Sequence, residues 1–114
     1  MKKEEFLAEA ARLEERLMKY PAWSLGFEYE SFGEFVIGYF HDAKDGYWKV
    51  YENRDRGDHG IVLKTKNEEE VYDEVIKWIK WAIRDNEEYY GTREKQKEQR
   101  AQEEQKEQKE RGGS

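Results

Sequence analysis

Between Trp23 and Tyr51 large apolar residues recur at mostly every second position, and ten of the chain's aromatic residues lie in this stretch. A side-chain period of two belongs to a strand, whose successive residues point to opposite faces. The stretch is therefore expected to fold as a sheet. Trp23, Leu25, Phe27 and Tyr29 alternate with Ser24, Gly26, Glu28 and Glu30 as a first strand, and Ser31, Phe32 and Gly33 read as its turn. A second strand is expected over 34–41, a turn over 43–46 and a third strand over 47–52. Asp45 and Gly46 supply that turn with residue types that tolerate positive φ. A polar loop over 53–60 leads to a fourth strand over 61–65. Four short strands joined by turns imply an antiparallel meander.

The period changes to that of a helix on either side. Phe6, Ala10, Leu13 and Leu17 follow at steps of four, three and four, and Pro21 disfavours helical geometry at Tyr20, so a first helix is expected over 2–19. Asn67 followed by Glu70 has the spacing of a capping box. Beyond it Val71, Tyr72, Val75, Ile76, Trp78, Ile79, Ala82 and Ile83 cover one broad arc of a helical wheel, with Trp81 outside it among Glu74, Lys77 and Lys80. The expected fold class is α+β: an N-terminal helix, a four-stranded antiparallel meander and a C-terminal helix packed on the sheet. Residues 92–111 contain no large apolar side chain, so 1–91 reads as one domain and 92–114 as a charged tail, either a solvated helix or disordered.

Residues 1–91 hold 14 basic and 21 acidic groups, whereas 92–114 hold 7 and 6. An acid excess concentrated in the folded part repels nucleic-acid backbones and anionic membranes, and favours a basic protein partner or simple solubility. There is no cysteine, hence no disulfide framework and no thiolate metal site. The first sixteen residues lack the apolar stretch of a signal peptide, and no run approaches a membrane span. A cytoplasmic location is expected.

Pairing Tyr29 with Phe35 and His41 with Tyr47 separates two sheet faces. One carries Trp23, Leu25, Phe27, Tyr29, Phe35, Ile37, Tyr39, Tyr47 and Tyr51, joined by Ile61 and Leu63, and suits a core under the helices. The other places Gly26 opposite Gly38, a shallow depression bordered by Phe40 and Trp48, with Val50 and Glu52 nearby. Aromatic anchors within a charged rim are a common interface design. If each face is instead covered by one helix, Phe40 and Trp48 belong to the core, and a one-residue change of register exchanges the assignments.

Catalytic material is sparse. His41 beside Asp42 and His59 beside Asp58 are neighbours in extended chain, so the members of each pair point apart. The three serines, at 24, 31 and 114, offer little to a nucleophilic triad, and no glycine motif both follows a strand and opens a helix. No metal and no cofactor are expected. Stacking of nucleic-acid bases would want a basic groove, whereas Glu28, Glu30, Glu34 and Glu52 surround the aromatics. The loop over 53–60 reads either as a charged recognition loop or as a solvated connection.

Trp48, Val50, Tyr51 and Glu52, then Arg56 and Gly57, then a strand, a threonine and an acidic helix start resemble the small immunity proteins of bacterial polymorphic toxin systems over residues 35–83. Those proteins often carry a compact Glu, Arg, Gly motif at this place, and here Asn53, Arg54 and Asp55 intervene. The resemblance implies a cytoplasmic, non-enzymatic α+β protein that binds a cognate toxin domain and occludes its active site. It carries over no catalytic residue. Combined with the acidic, aromatic sheet, it makes a protein-binding inhibitor the leading expectation, with partner contacts from Phe40, Trp48, Glu52, Arg54, Arg56 and Trp81. Two other readings stay open: a self-associating module, in which the spare face or the tail joins a homodimer, and a small hydrolase using His41 and His59.

Overall fold

The computed structural model describes residues 1–19, 22–55 and 57–112, with side chains described as far as Gly91. Helix α1 spans Lys3–Leu17 and buries Phe6, Ala10, Leu13 and Leu17, the four positions that its periodicity selects. Strands β1 (Ser24–Phe27), β2 (Val36–Asp42), β3 (Tyr47–Asn53) and β4 (His59–Thr65) follow, then helix α2 (Glu68–Gly112). The fold is α+β, with one four-stranded sheet in the order β1-β2-β3-β4. Helix α2 continues through Gly91 into the charged tail.

The sheet is mixed, which corrects the expected antiparallel meander. β2, β3 and β4 pair antiparallel, but β1 runs parallel to β2. The reason lies in the backbone at the ends of the connection. Glu28 takes φ 67° and Phe35 φ 53°, left-handed conformations uncommon in residues other than glycine. The chain thus leaves the sheet at Glu28, crosses over one face and re-enters beside the start of β1. Parallel neighbours ordinarily need a crossover of a dozen or more residues. Here β1 has only four residues, about 13 Å of strand, and residues 28–35 suffice to span it.

The β2–β3 register also differs from expectation. Asp42, not His41, faces Tyr47. The turn is closed by Gly46 N–H donating to the Asp42 carbonyl at 2.8 Å, with Gly46 at φ 75°. That one-residue change turns β3 over. Val50 joins Leu25, Phe27, Ile37 and Tyr39 in the core, with Trp48 half-buried against it, while Tyr47 and Tyr51 go to the other face. A bulge between Val50 and Tyr51 adds a residue to β4, and both Val62 and Leu63 pack against the core.

Both helices lie on one side of the sheet. Phe6 stacks on Tyr72 of α2 and meets Phe27 and Tyr39 at its edges, which ties helix, helix and sheet together. α1 and α2 run in the same direction, joined at one end by the Met1 amino group to Asp73 at 2.9 Å and at the other by Arg16 to Glu87 at 3.0 Å. The start of α2 is a relay related to a capping box. Asn67 Oδ1 accepts the Glu69 N–H, and the Thr65 hydroxyl accepts the Asn67 N–H while donating to Glu70.

Candidate functional site

The face turned away from the helices is where the connection 28–35 lies. Gly26 and Gly38 sit side by side on it, as the sequence suggests. The depression between them is not empty. Tyr51, opposite Gly38, reaches across it, and its hydroxyl donates to the Tyr29 and Gly26 carbonyls at 2.8 and 3.1 Å while accepting the Ser31 N–H at 3.1 Å. A Cβ on Gly38 would collide with the Gly26 carbonyl and the Tyr51 hydroxyl. Burial raises the pKa of Tyr51, which keeps the donor protonated.

Asn53, one residue pair further along β3, completes the attachment. Its amide nitrogen donates to the Ser31 and Gly33 carbonyls at 2.7 and 2.9 Å, which leaves Oδ1 facing His59 Nδ1 at 2.6 Å. The other ring nitrogen of His59 stands 3.1 Å from Glu30. Both neighbours are acceptors, so a ring carrying one proton bonds one of them and a ring carrying two bonds both.

The result is a loop held along its backbone at residues 29, 31 and 33, with side chains between those points left bare. Phe32 is 68% exposed and lies against the His59 ring, Tyr29 is 56% exposed, and Ile61 on β4 is 45% exposed. Phe40, half-buried, lies 5.9 Å from the Tyr51 ring on this same face. Glu28, Glu30 and Glu34 are also exposed along the loop, with Glu28 reached by Lys3 at 3.2 Å. Such a surface offers apolar area within an acidic rim.

The expected contact residues divide between the two faces. Phe40 belongs to the outer face. Trp48 does not: it lies on the helix side, half-buried against Tyr39 and His41, because the β3 register is one residue away from that expected. Glu52 is on the helix side too, buried, and accepts Arg54 Nε at 2.6 Å. The Arg54 guanidinium lies 5.1 Å over the Trp81 ring. Trp81 in turn meets Trp23 and Trp78 edge to face, at 5.7 and 5.5 Å, so it packs at the core margin and does not stand apart from the apolar arc. Glu52, Arg54 and Trp81 thus form one cluster at the end of the sheet. Arg56 lies outside the described residues.

Tyr29 and Ile61, expected on the core face, are exposed, and Phe32, expected in the turn, is exposed there without having been singled out as a contact. The available signal was Phe32 itself, a large apolar residue in a turn of polar residues. His41 and His59 fall on opposite faces and form no common pocket, and both ring nitrogens of His59 already face partners. Among the described residues no three histidine or carboxylate groups gather as a metal-ligand set, and no described helix is long and apolar enough to cross a membrane. No family model matches the chain, and neither does any curated protein or solved structure.

Proposed function

We propose that the chain is a non-enzymatic, protein-binding inhibitor of the immunity-protein kind, acting in the cytoplasm, which docks its outer sheet face on a basic toxin domain and covers that domain's active site. The observation that carries this reading is the loop 28–35, fixed to β3 through its backbone while Tyr29 and Phe32 stand exposed at its surface. Apolar anchors on a preorganised loop bind without a large ordering cost. The acidic side chains beside them, and a net charge of -6 for the whole chain, favour a partner of opposite sign.

Phe40 and Ile61 extend the contact area on the same face. Glu52, Arg54 and Trp81 lie on the helix side, so in this reading they support the loop-bearing end of the sheet and a contact there belongs to the rim.

The test is co-expression with the toxin domain encoded beside the gene, followed by affinity measurement on the purified pair. Tyr29→Ala with Phe32→Ala is expected to abolish protection and to weaken binding by about a hundredfold, the loss typical of two central aromatic anchors. Unchanged affinity in that variant rules out the outer face. A solution mass of twice the chain's own, lost in the same variant, favours self-association through this face instead.

A further inference from the structure

A second feature lies on the helical side, away from the sheet. Between α1 and α2 opens a groove of about 260 Å³. Its floor is apolar, made by Leu13 and Ile83, both almost fully buried. Its walls are cationic: Arg12 and Arg16 come from α1, Lys80 and Arg84 from α2. Each pair is spaced four residues apart, so its members share one helix face, and the two faces look into the same groove.

The carboxylates nearby neutralise only half of this set, and Glu9 also lies within electrostatic reach of Lys80. Glu87 lines the groove and bonds Arg16, and Glu9 holds Arg12. Lys80 and Arg84 close no salt bridge with any described residue. Four cations around one small opening repel one another, more so over an apolar floor than in bulk water. In a chain of net charge -6, such a gathering is the reverse of the surrounding surface.

We propose that this groove binds a small multivalent oxoanion of the phosphate class, such as pyrophosphate or a phosphate monoester. The Arg84 guanidinium closes no ion pair among the described residues, and Arg12 and Arg16 keep further N–H groups beyond those that bond Glu9 and Glu87; such planar edges match the paired oxygens of a tetrahedral oxoanion. Four cations against the two acids Glu9 and Glu87 leave two positive charges, which a dianionic phosphate matches and a single carboxylate does not. The acid excess on the rest of the body works against a long polyanion such as nucleic acid, whose backbone extends beyond the groove. The floor contributes no directional bond, so charge density is what the site selects.

The test titrates the full-length chain at low ionic strength with inorganic pyrophosphate, and in a second arm with a short glutamate peptide, reading backbone and arginine Nε–H resonances. Saturable one-to-one shifts centred on Arg12, Arg16 and Arg84 are expected with pyrophosphate. Lys80→Gln with Arg84→Gln is expected to weaken binding by about tenfold or more, whereas Lys66→Gln with Lys77→Gln, the same change in net charge placed elsewhere, leaves the affinity unchanged. All four side chains are exposed, and thermal unfolding of each variant verifies that the fold is kept. Shifts that do not saturate, equal weakening in both double variants, or tighter binding of the glutamate peptide each overturn the proposal.

Discussion

The Tyr51 side chain lies across Gly38, its cross-strand partner, and occupies the space that any larger residue there would need. Packing and hydrogen bonding therefore depend on each other at this point of the sheet. Gly38→Ala forces the Gly26 carbonyl and the Tyr51 hydroxyl to move, and both are held by other bonds. A destabilisation of about 2 kcal/mol or more is expected, at the upper part of the range for overpacked sites. Urea unfolding measures it; a change below about 0.5 kcal/mol, the ordinary surface value, would show that the crossing is looser than described.

Asn53 is 1% exposed and donates to two carbonyls of the loop. In Asn53→Ala those carbonyls lose their donor and the His59 ring loses its acceptor. A cost of about 1–3 kcal/mol is expected. Faster amide exchange should follow at residues 30–34 while the β2–β3 amides stay protected. Uniform acceleration across the sheet contradicts a clamp that is local.

Phe32 makes the opposite prediction. It is the large apolar side chain of the loop with most of its surface in water, so Phe32→Ser should leave global stability within about 0.5 kcal/mol of the parent. A larger loss, read from denaturant midpoints, would mean that Phe32 belongs to the fold and not to a contact surface.

The β2–β3 turn carries a pH dependence of defined sign. Asp45 is pulled down to about 2, chiefly by accepting the Tyr47 N–H and then by Lys49. Asp42 is lowered as well, chiefly by Lys49 and then by the Lys44 N–H. A carboxyl with a depressed folded-state pKa contributes stability that is present above its unfolded value, 3.8, and lost as pH falls through the folded one. The stability difference between the parent and Asp45→Asn should therefore be constant near neutrality, shrink below 3.8 and vanish only below about 2. A difference that grows on acidification would reverse the assignment.

Much of the architecture was legible because periodicity survives in the sequence. The four apolar positions of α1 and the arc of α2 are buried as their spacing requires, since a 3.6-residue period leaves only one way to turn the helix. Strand direction left no such trace. An antiparallel pairing of Tyr29 with Phe35 and the parallel pairing observed both set Gly26 beside Gly38. The choice between them rests on positive φ at Glu28 and Phe35, residue types that do not announce it. Trp48 went to the wrong face for a smaller reason, the difference between His41 and Asp42 as the partner of Tyr47. The exposed loop followed from both, because a hairpin leaves no segment to cross the outer face.

The donors and acceptors that fix the loop to β3 meet its carbonyls at 29, 31 and 33 and its amide at 31, with Glu30 the one side chain drawn in through His59. None of these bonds uses the side chain of residue 29, 32 or 34. Those side chains can be exchanged without rebuilding the scaffold, much as letters are reset in a fixed frame.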